Sequence, residues 1–182
     1  MAEAFGRWIE HILGQRGLIV FDSSDPSAKP LASGVFQHEL RAPGEAARLA
    51  MAAGADLVAR GYHSQVQAVD EGVSLFFLDG GRRAIRYQDE QFVVGNERHA
   101  AATLAALAAD RPSLFSPNVL LRPVVQDTLF PTVCYVAGPN ELAYLGQLRR
   151  IYEHFGVPMP LIYPRASATA ADAAALRFLQ KY

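Results

Sequence analysis

The sequence predicts an α/β domain: part of a parallel sheet with helices on both faces, carrying a small antiparallel meander as an insertion. Three observations predict it. Apolar strand–turn–helix units lie near both ends of the chain, at residues 17–26 and 132–139, which is the order of a βαβ fold. Between them, short β-rich runs separated by tight turn signals span residues 73–94. The composition, 51% hydrophobic and 19% charged over 182 residues, supports one buried core and excludes wholesale disorder.

Each element has its own signal. Phe5, Trp8, Ile9, Ile12 and Leu13 fall at helical spacing, and Gly14 and Gly17 punctuate that helix. Residues 17–21 form a short, β-branched apolar run after a glycine, the mark of a buried strand. In the turn that follows, Asp25 can cap the next helix with Pro26 at its first position, where a missing N–H costs nothing. Leu31, Val35, Phe36 and Leu40 give that helix an apolar face, and Ala42-Pro43-Gly44 breaks it. An alanine-rich helix covers 45–60. The meander strands are 73–78, 84–87 and 91–94, with a turn at Gly80-Gly81.

Residues 96–109 return to helix, Pro112 and Pro117 bound a loop, and Pro123 opens a helix ending near 130. Residues 132–137 read as a buried strand. Gly138-Pro139 opens a helix to about 155, residues 159–163 form another short strand, and Ser167 or Thr169 caps a final helix. Residues 1–182 therefore read as one domain with 73–94 inserted. The alternative topology is an α+β domain whose main sheet contains the meander.

Charge and cysteine usage exclude several functions. Lys+Arg 17 against Asp+Glu 18 leaves a net charge of -1, so no global field draws in nucleic acid or an anionic membrane. No apolar run reaches the ~18 residues of a membrane span. The lone Cys134 excludes an internal disulfide and a multi-cysteine zinc site, and its apolar strand predicts a buried, unreactive thiol. With no secretion signal, the setting expected is cytoplasmic. His11, His38, His63, His99 and His154 show no metal-ligand spacing, so no metal site is expected. Phosphate-binding glycine loops and the GxSxG elbow are absent from the sequence. Residues 75–78 lack interleaved basic residues and read as core.

The chemistry-bearing residues sit at strand-to-helix junctions, where α/β sheets bind ligands. In the 135–144 junction Gly138 permits close backbone approach, and Glu141 and Tyr144 follow. Glu141 can bind an amine or hydroxyl, or it can simply complement the helix dipole. In the 116–127 stretch Asn118, Arg122, Gln126 and Asp127 are polar among apolar and proline residues, with Arg122 and Gln126 on one helical face. Arg122 offers a fork for a carboxylate or phosphate; an internal ion pair to Asp127 or Glu141 is the alternative. Asp22, Ser23 and Ser24 form a third junction, and Tyr163 to Ser167, with Arg165, a fourth. The expectation is that these loops converge on one pocket.

At residues 117–127, Pro131-Thr132, Gly138-Pro139-Asn140-Glu141 and Tyr144, the chain resembles the bacillithiol biosynthesis cysteine-adding enzymes, the BshC family. Supporting blocks are residues 17–26, 155–160 and Pro164-Arg165 with Ser167. The likeness covers almost the whole chain and is loosest over 62–109. It implies a Rossmann-like core and a ligase that adds cysteine to glucosaminyl-malate. Amide formation needs an activated cysteine carboxylate, so on that chemical ground an ATP-dependent route is expected, with ATP or ADP as the cofactor. The resemblance also implies dimerisation through a coiled coil that this chain lacks. The chain departs from the family pattern in beginning at its middle, in stopping before the coiled coil, and in carrying Asn140 after Gly-Pro; a central fragment is expected. On chemical grounds Glu141 and Asp127 become the catalytic candidates. Asn118, Arg122, Gln126, Gly138, Tyr144 and Arg165 become the substrate-binding ones, with Asp22, Ser23 and Ser24 as a second loop. The rival reading is a non-catalytic module that binds a nucleotide or sugar acid, or serves assembly.

Overall fold

In a computed structural model, which describes residues 2–67 and 71–181, the chain begins with α1 (Ala2–Leu13) and a 3-10 turn (Gly14–Arg16). Then come α2 (Lys29–Arg41), α3 (Glu45–Ala59), β1 (Gly72–Phe77), β2 (Arg83–Gln88), β3 (Gln91–Val94), β4 (Glu97–Ala100) and α4 (Ala101–Asp110). After a second 3-10 turn (Pro112–Leu114), β5 (Phe115–Pro117), α5 (Arg122–Leu129), β6 (Cys134–Ala137) and α6 (Pro139–Leu145) follow. The chain closes with α7 (Arg149–Phe155), β7 (Leu161–Pro164) and α8 (Ala173–Lys181).

The sheet is not the one the sequence predicts. Five strands pair in the order β4-β3-β2-β1-β5, and every pair in that sheet is antiparallel. Among the described residues, parallel pairing is confined to β6 and β7, in register from Cys134↔Leu161 to Ala137↔Pro164. The meander residues therefore supply most of the larger sheet. Two of its strands escaped the sequence reading. β4 lies inside the stretch expected to be helical, because Glu97 to Ala100 pair with β3 before α4 begins. β5 was read as a loop between prolines, yet it aligns Leu75↔Pro117 and Phe77↔Phe115 along the edge of β1, where proline is tolerated.

The turns explain the meander's tightness. Gly80 and Gly81 have φ of 68° and 127° between β1 and β2. Asp89 and Glu90 reach φ of 50° and 61° in the two-residue β2–β3 turn, the left-handed pair that matches strand twist. Alternation then buries Phe92 and Val94 of β3. α2 and α3 lie against β1, so Phe36, Leu40, Ala46 and Ala50 meet Leu75 and Phe77 in one core, which Phe115, Leu121 and Ile151 extend. Phe77 and Phe115 meet edge-on at 5.5 Å.

Other boundaries move for identifiable reasons. Helix α2 starts at Lys29 rather than after Asp25, because the Asp25 carboxylate accepts the Ser27 N–H and hydroxyl in a turn of its own. The single helix expected over 139–155 is two, split at Gly146-Gln147. Gln147 is fully buried: its Oε1 accepts the N–H of Gln65 and of Val66, each at 2.9 Å. Its Nε2 lies 3.2 Å from Ala50 O and 3.1 Å from Ser64 Oγ. Gly54 of α3 is needed there, since a Cβ would stand 2.5 Å from Ser64 Oγ and 2.8 Å from Gln147 Nε2. The last helix is capped by Asp172, which accepts the Ala175 N–H, and not by Ser167 or Thr169.

Residues 17–21, expected as a buried strand, form no strand, and Ile19 is 84% exposed. Nothing in the described chain pairs with them; Phe21 packs its ring on Phe130 at 4.9 Å instead. Exposure also corrects the expectation for Cys134, which is an exposed free thiol because the β6–β7 sheet has an uncovered face. Among the described residues no helix is long and apolar enough to cross a membrane.

Candidate functional site

A cavity of about 560 Å³ opens where the first turn of α2, the β1–β2 turn, the end of β5, the start of α5 and the β6–α6 junction meet. Its lining includes Ser23, Lys29, Arg82, Arg122, Gln126, Tyr135, Glu141 and Tyr144, with Phe21, Phe36 and Val119 among the apolar walls. Three of the four expected junctions thus reach one cavity. The fourth does not line it: Arg165 lies against Gly138, where a Cβ would come within 2.6 Å of Nη2, and neither residue is part of the cavity wall.

Arg122 is the first residue of α5, and Gln126 follows one turn later on the same face. Among the described residues Arg122 forms no ion pair, to Asp127, Glu141 or any other carboxylate, so the internal-pair alternative is not what the structure shows. Its fork remains open to a ligand. Glu141 does both things open to it. Its Oε2 accepts the Gly138 N–H at 2.8 Å, closing the first turn of α6, while its Oε1 accepts the Tyr135 hydroxyl at 3.2 Å. Burial, followed by the neighbouring Tyr144 and Glu141, pushes the Tyr135 pKa up, so its hydroxyl stays a neutral donor.

Several expected site residues stand elsewhere. Asn118 shapes the approach to α5: its Oδ1 accepts the Leu120 N–H at 2.9 Å and its carbonyl accepts the Arg122 N–H at 3.0 Å. Asp127 faces α7, not the cavity, with its Oδ2 accepting the Tyr152 hydroxyl at 2.5 Å. That packing buries Tyr152 and drives its pKa upward. Asp22 folds onto Ser24, accepting its N–H and hydroxyl, which holds the Asp22 carboxyl below the usual range; only Ser23 of that trio lines the cavity. Gly138 is buried as the α6 cap, and Arg165 is exposed beside it.

Sequence reasoning missed Lys29, Arg82 and Tyr135. Lys29 sits in the first turn of α2, partly buried, with Nζ donating to the Phe115 carbonyl at 3.4 Å; desolvation lowers its pKa. Its one available signal was rarity, since only Lys29 and Lys181 occur. Arg82 follows the Gly80-Gly81 turn and stacks 4.0 Å above the Phe76 ring. The cavity therefore has three cations against one carboxylate, and it can hold an anion beside a hydrogen-bonding acid.

An α/β domain with a ligand-sized cationic cavity at a strand–helix junction is the class defined so far, and β6–(α6, α7)–β7 is its parallel βαβ unit. Residues 1–166 match the family described as bacillithiol biosynthesis BshC, N-terminal Rossmann-like domain, and the chain belongs to that family. A relative from Koribacter versatilis, named "Putative cysteine ligase BshC", is 37% identical over 183 residues, covering 100% of this chain and 34% of that protein. Proteins of the same name from Salinibacter ruber and Chlorobium phaeobacteroides are 37% and 35% identical, covering 100% and 98% of the chain. These alignments span 34% and 32% of the two proteins. The chain thus spans about one third of the length of the curated relatives it matches.

Proposed function

We propose that this chain forms the substrate-acid pocket of a cysteine ligase acting in bacillithiol biosynthesis, where cysteine is joined to the amine of glucosaminyl-malate. The observation that carries the reading is the cavity's charge: Lys29, Arg82 and Arg122 face one carboxylate, Glu141. The malyl group is an acid that needs such cations, and Arg122 supplies a bidentate fork for one of its carboxylates. Glu141, steadied by Tyr135, is the group that holds or deprotonates the accepting amine. Asp127 acts from behind, fixing α5 against α7 through Tyr152.

A carboxylate and an amine do not condense unaided in water, so an ATP-activated cysteine carboxylate accompanies this reading. The cavity's cations suit phosphate oxygens as well as carboxylates. A second reading, a non-catalytic binding or assembly module, draws support from the exposed apolar face of β6 and β7, where Val136 and Leu161 are open to solvent.

Calorimetric titration of the chain with glucosaminyl-malate and with glucosamine separates the two. The ligase reading expects saturable binding of glucosaminyl-malate, much weaker binding of glucosamine, and a loss of about tenfold or more in Arg122→Ala. Equal affinity for both ligands, or an Arg122→Ala variant that binds as the parent does, contradicts it.

A further inference from the structure

We infer that Lys29 and Arg82 form a second anion-binding pole of the cavity, so that it selects an acid bearing two carboxylates over one bearing a single carboxylate. The inference rests on the ligase reading and adds to it the residues that set acid specificity.

Three separate elements bring a cation to the cavity: α2 contributes Lys29, the β1–β2 turn Arg82, and α5 Arg122. Against them stands Glu141 alone, whose oxygens are already held by the Tyr135 hydroxyl and the Gly138 N–H. None of the three cations forms an ion pair with a carboxylate among the described residues. Elsewhere the chain pairs its arginines readily, as Arg48 with Glu45, Arg83 with Glu97, and Arg149 with Glu153. Arg82 and Arg122 are solvent-exposed and Lys29 is half-buried, so all three cations are free to meet an anion that enters the cavity.

One guanidinium fork matches one carboxylate, so Arg122 accounts for one charge of the ligand and no more. Lys29 has three N–H donors and gives one to the Phe115 carbonyl, leaving the others for a second anionic group. Its desolvation points the same way, since burial disfavours the charged form and a bound anion would favour it. The Arg82 plane is held against Phe76, which fixes its orientation while the N–H edge stays available.

Free malate and free lactate are suitable probes, because both are 2-hydroxy acids and they differ by one carboxylate. Titrated calorimetrically into the 182-residue chain, malate is expected to bind roughly tenfold or more tightly than lactate. Lys29→Met, which keeps the apolar stem, and Arg82→Gln should each bring that ratio several-fold closer to one. In both variants malate should lose more affinity than lactate does. Lys29→Arg should restore the preference, and Arg122→Ala should weaken both acids. Matching thermal melts would show that each variant is folded. If Lys29→Met melts early, Arg82→Gln, at an exposed position, carries the test.

Equal affinity for malate and lactate in the parent chain overturns the inference. An unchanged ratio in both Lys29→Met and Arg82→Gln overturns it too. If glucosaminyl-malate still binds and still depends on Arg122, only this inference falls. If glucosaminyl-malate does not bind at all, the ligase reading falls with it.

Discussion

Glu39 is fully buried on α2, where its Oε1 accepts the Ser74 N–H at 2.7 Å and its Oε2 has no partner among the described residues. Burial raises its pKa from 4.5 to about 7, with the Ser74 hydrogen bonds pulling weakly the other way. The unfolded chain releases this proton near pH 4.5 and the folded chain only near 7, so folding loses stability as pH rises through that window and stays lower above it. The full loss is about 3 kcal/mol. Glu39→Gln can keep the Ser74 contact and removes the charge. Urea melts should therefore show the variant gaining on the parent between pH 5 and pH 8, and a constant difference would refute the assignment. Nothing in the local pattern marks Glu39 as buried: it falls among polar and apolar neighbours on a helix whose inward face only tertiary contacts define. The same holds for Lys29 and Arg82. Arg122, Glu141 and Tyr144, by contrast, were readable, because prolines and a glycine announce the helix starts that carry them.

At the scale of elements, α2 and α3 were legible from their breakers, Pro43 and Gly44, and from the spacing of Val35, Phe36 and Leu40. The three meander strands were legible from their turns. What sequence could not supply was the partner of each strand. Residues 17–21 and 132–137 have the same apolar, β-branched character. Yet the second gains a parallel neighbour in β7, while the first gains none among the described residues and stays exposed. The strand β5 is the converse case, three residues with two prolines nearby that the edge of β1 recruits. Likewise the α6–α7 break follows from Gln147 satisfying the backbone of residues 65 and 66, a contact across more than eighty positions. Hydrogen exchange should resolve this contrast. Amides of residues 18–21 have no backbone partner among the described residues and should exchange within seconds, whereas those of β1 and β2 should be protected to near the global unfolding limit. Comparable protection in both segments would contradict the described pairing.

The molecule as a whole carries a net charge of -1, yet its cavity is cationic. The sign of the site is thus a local arrangement that global charge did not reveal. Two apolar regions lie open as well: α1, with Phe5 and Trp8 exposed, and the β6–β7 sheet, with Val136 56% exposed. The Rossmann-like family assignment and this structure meet at the β6–β7 unit, whose α6 start closes the cavity. The most direct measurement is a crystal structure of the chain with glucosaminyl-malate. The account predicts the malyl carboxylates against Arg122 and against Lys29 with Arg82, and the sugar amine toward Glu141. A ligand bound outside this cavity, or one seated with its carboxylates on the Glu141 side, would contradict it.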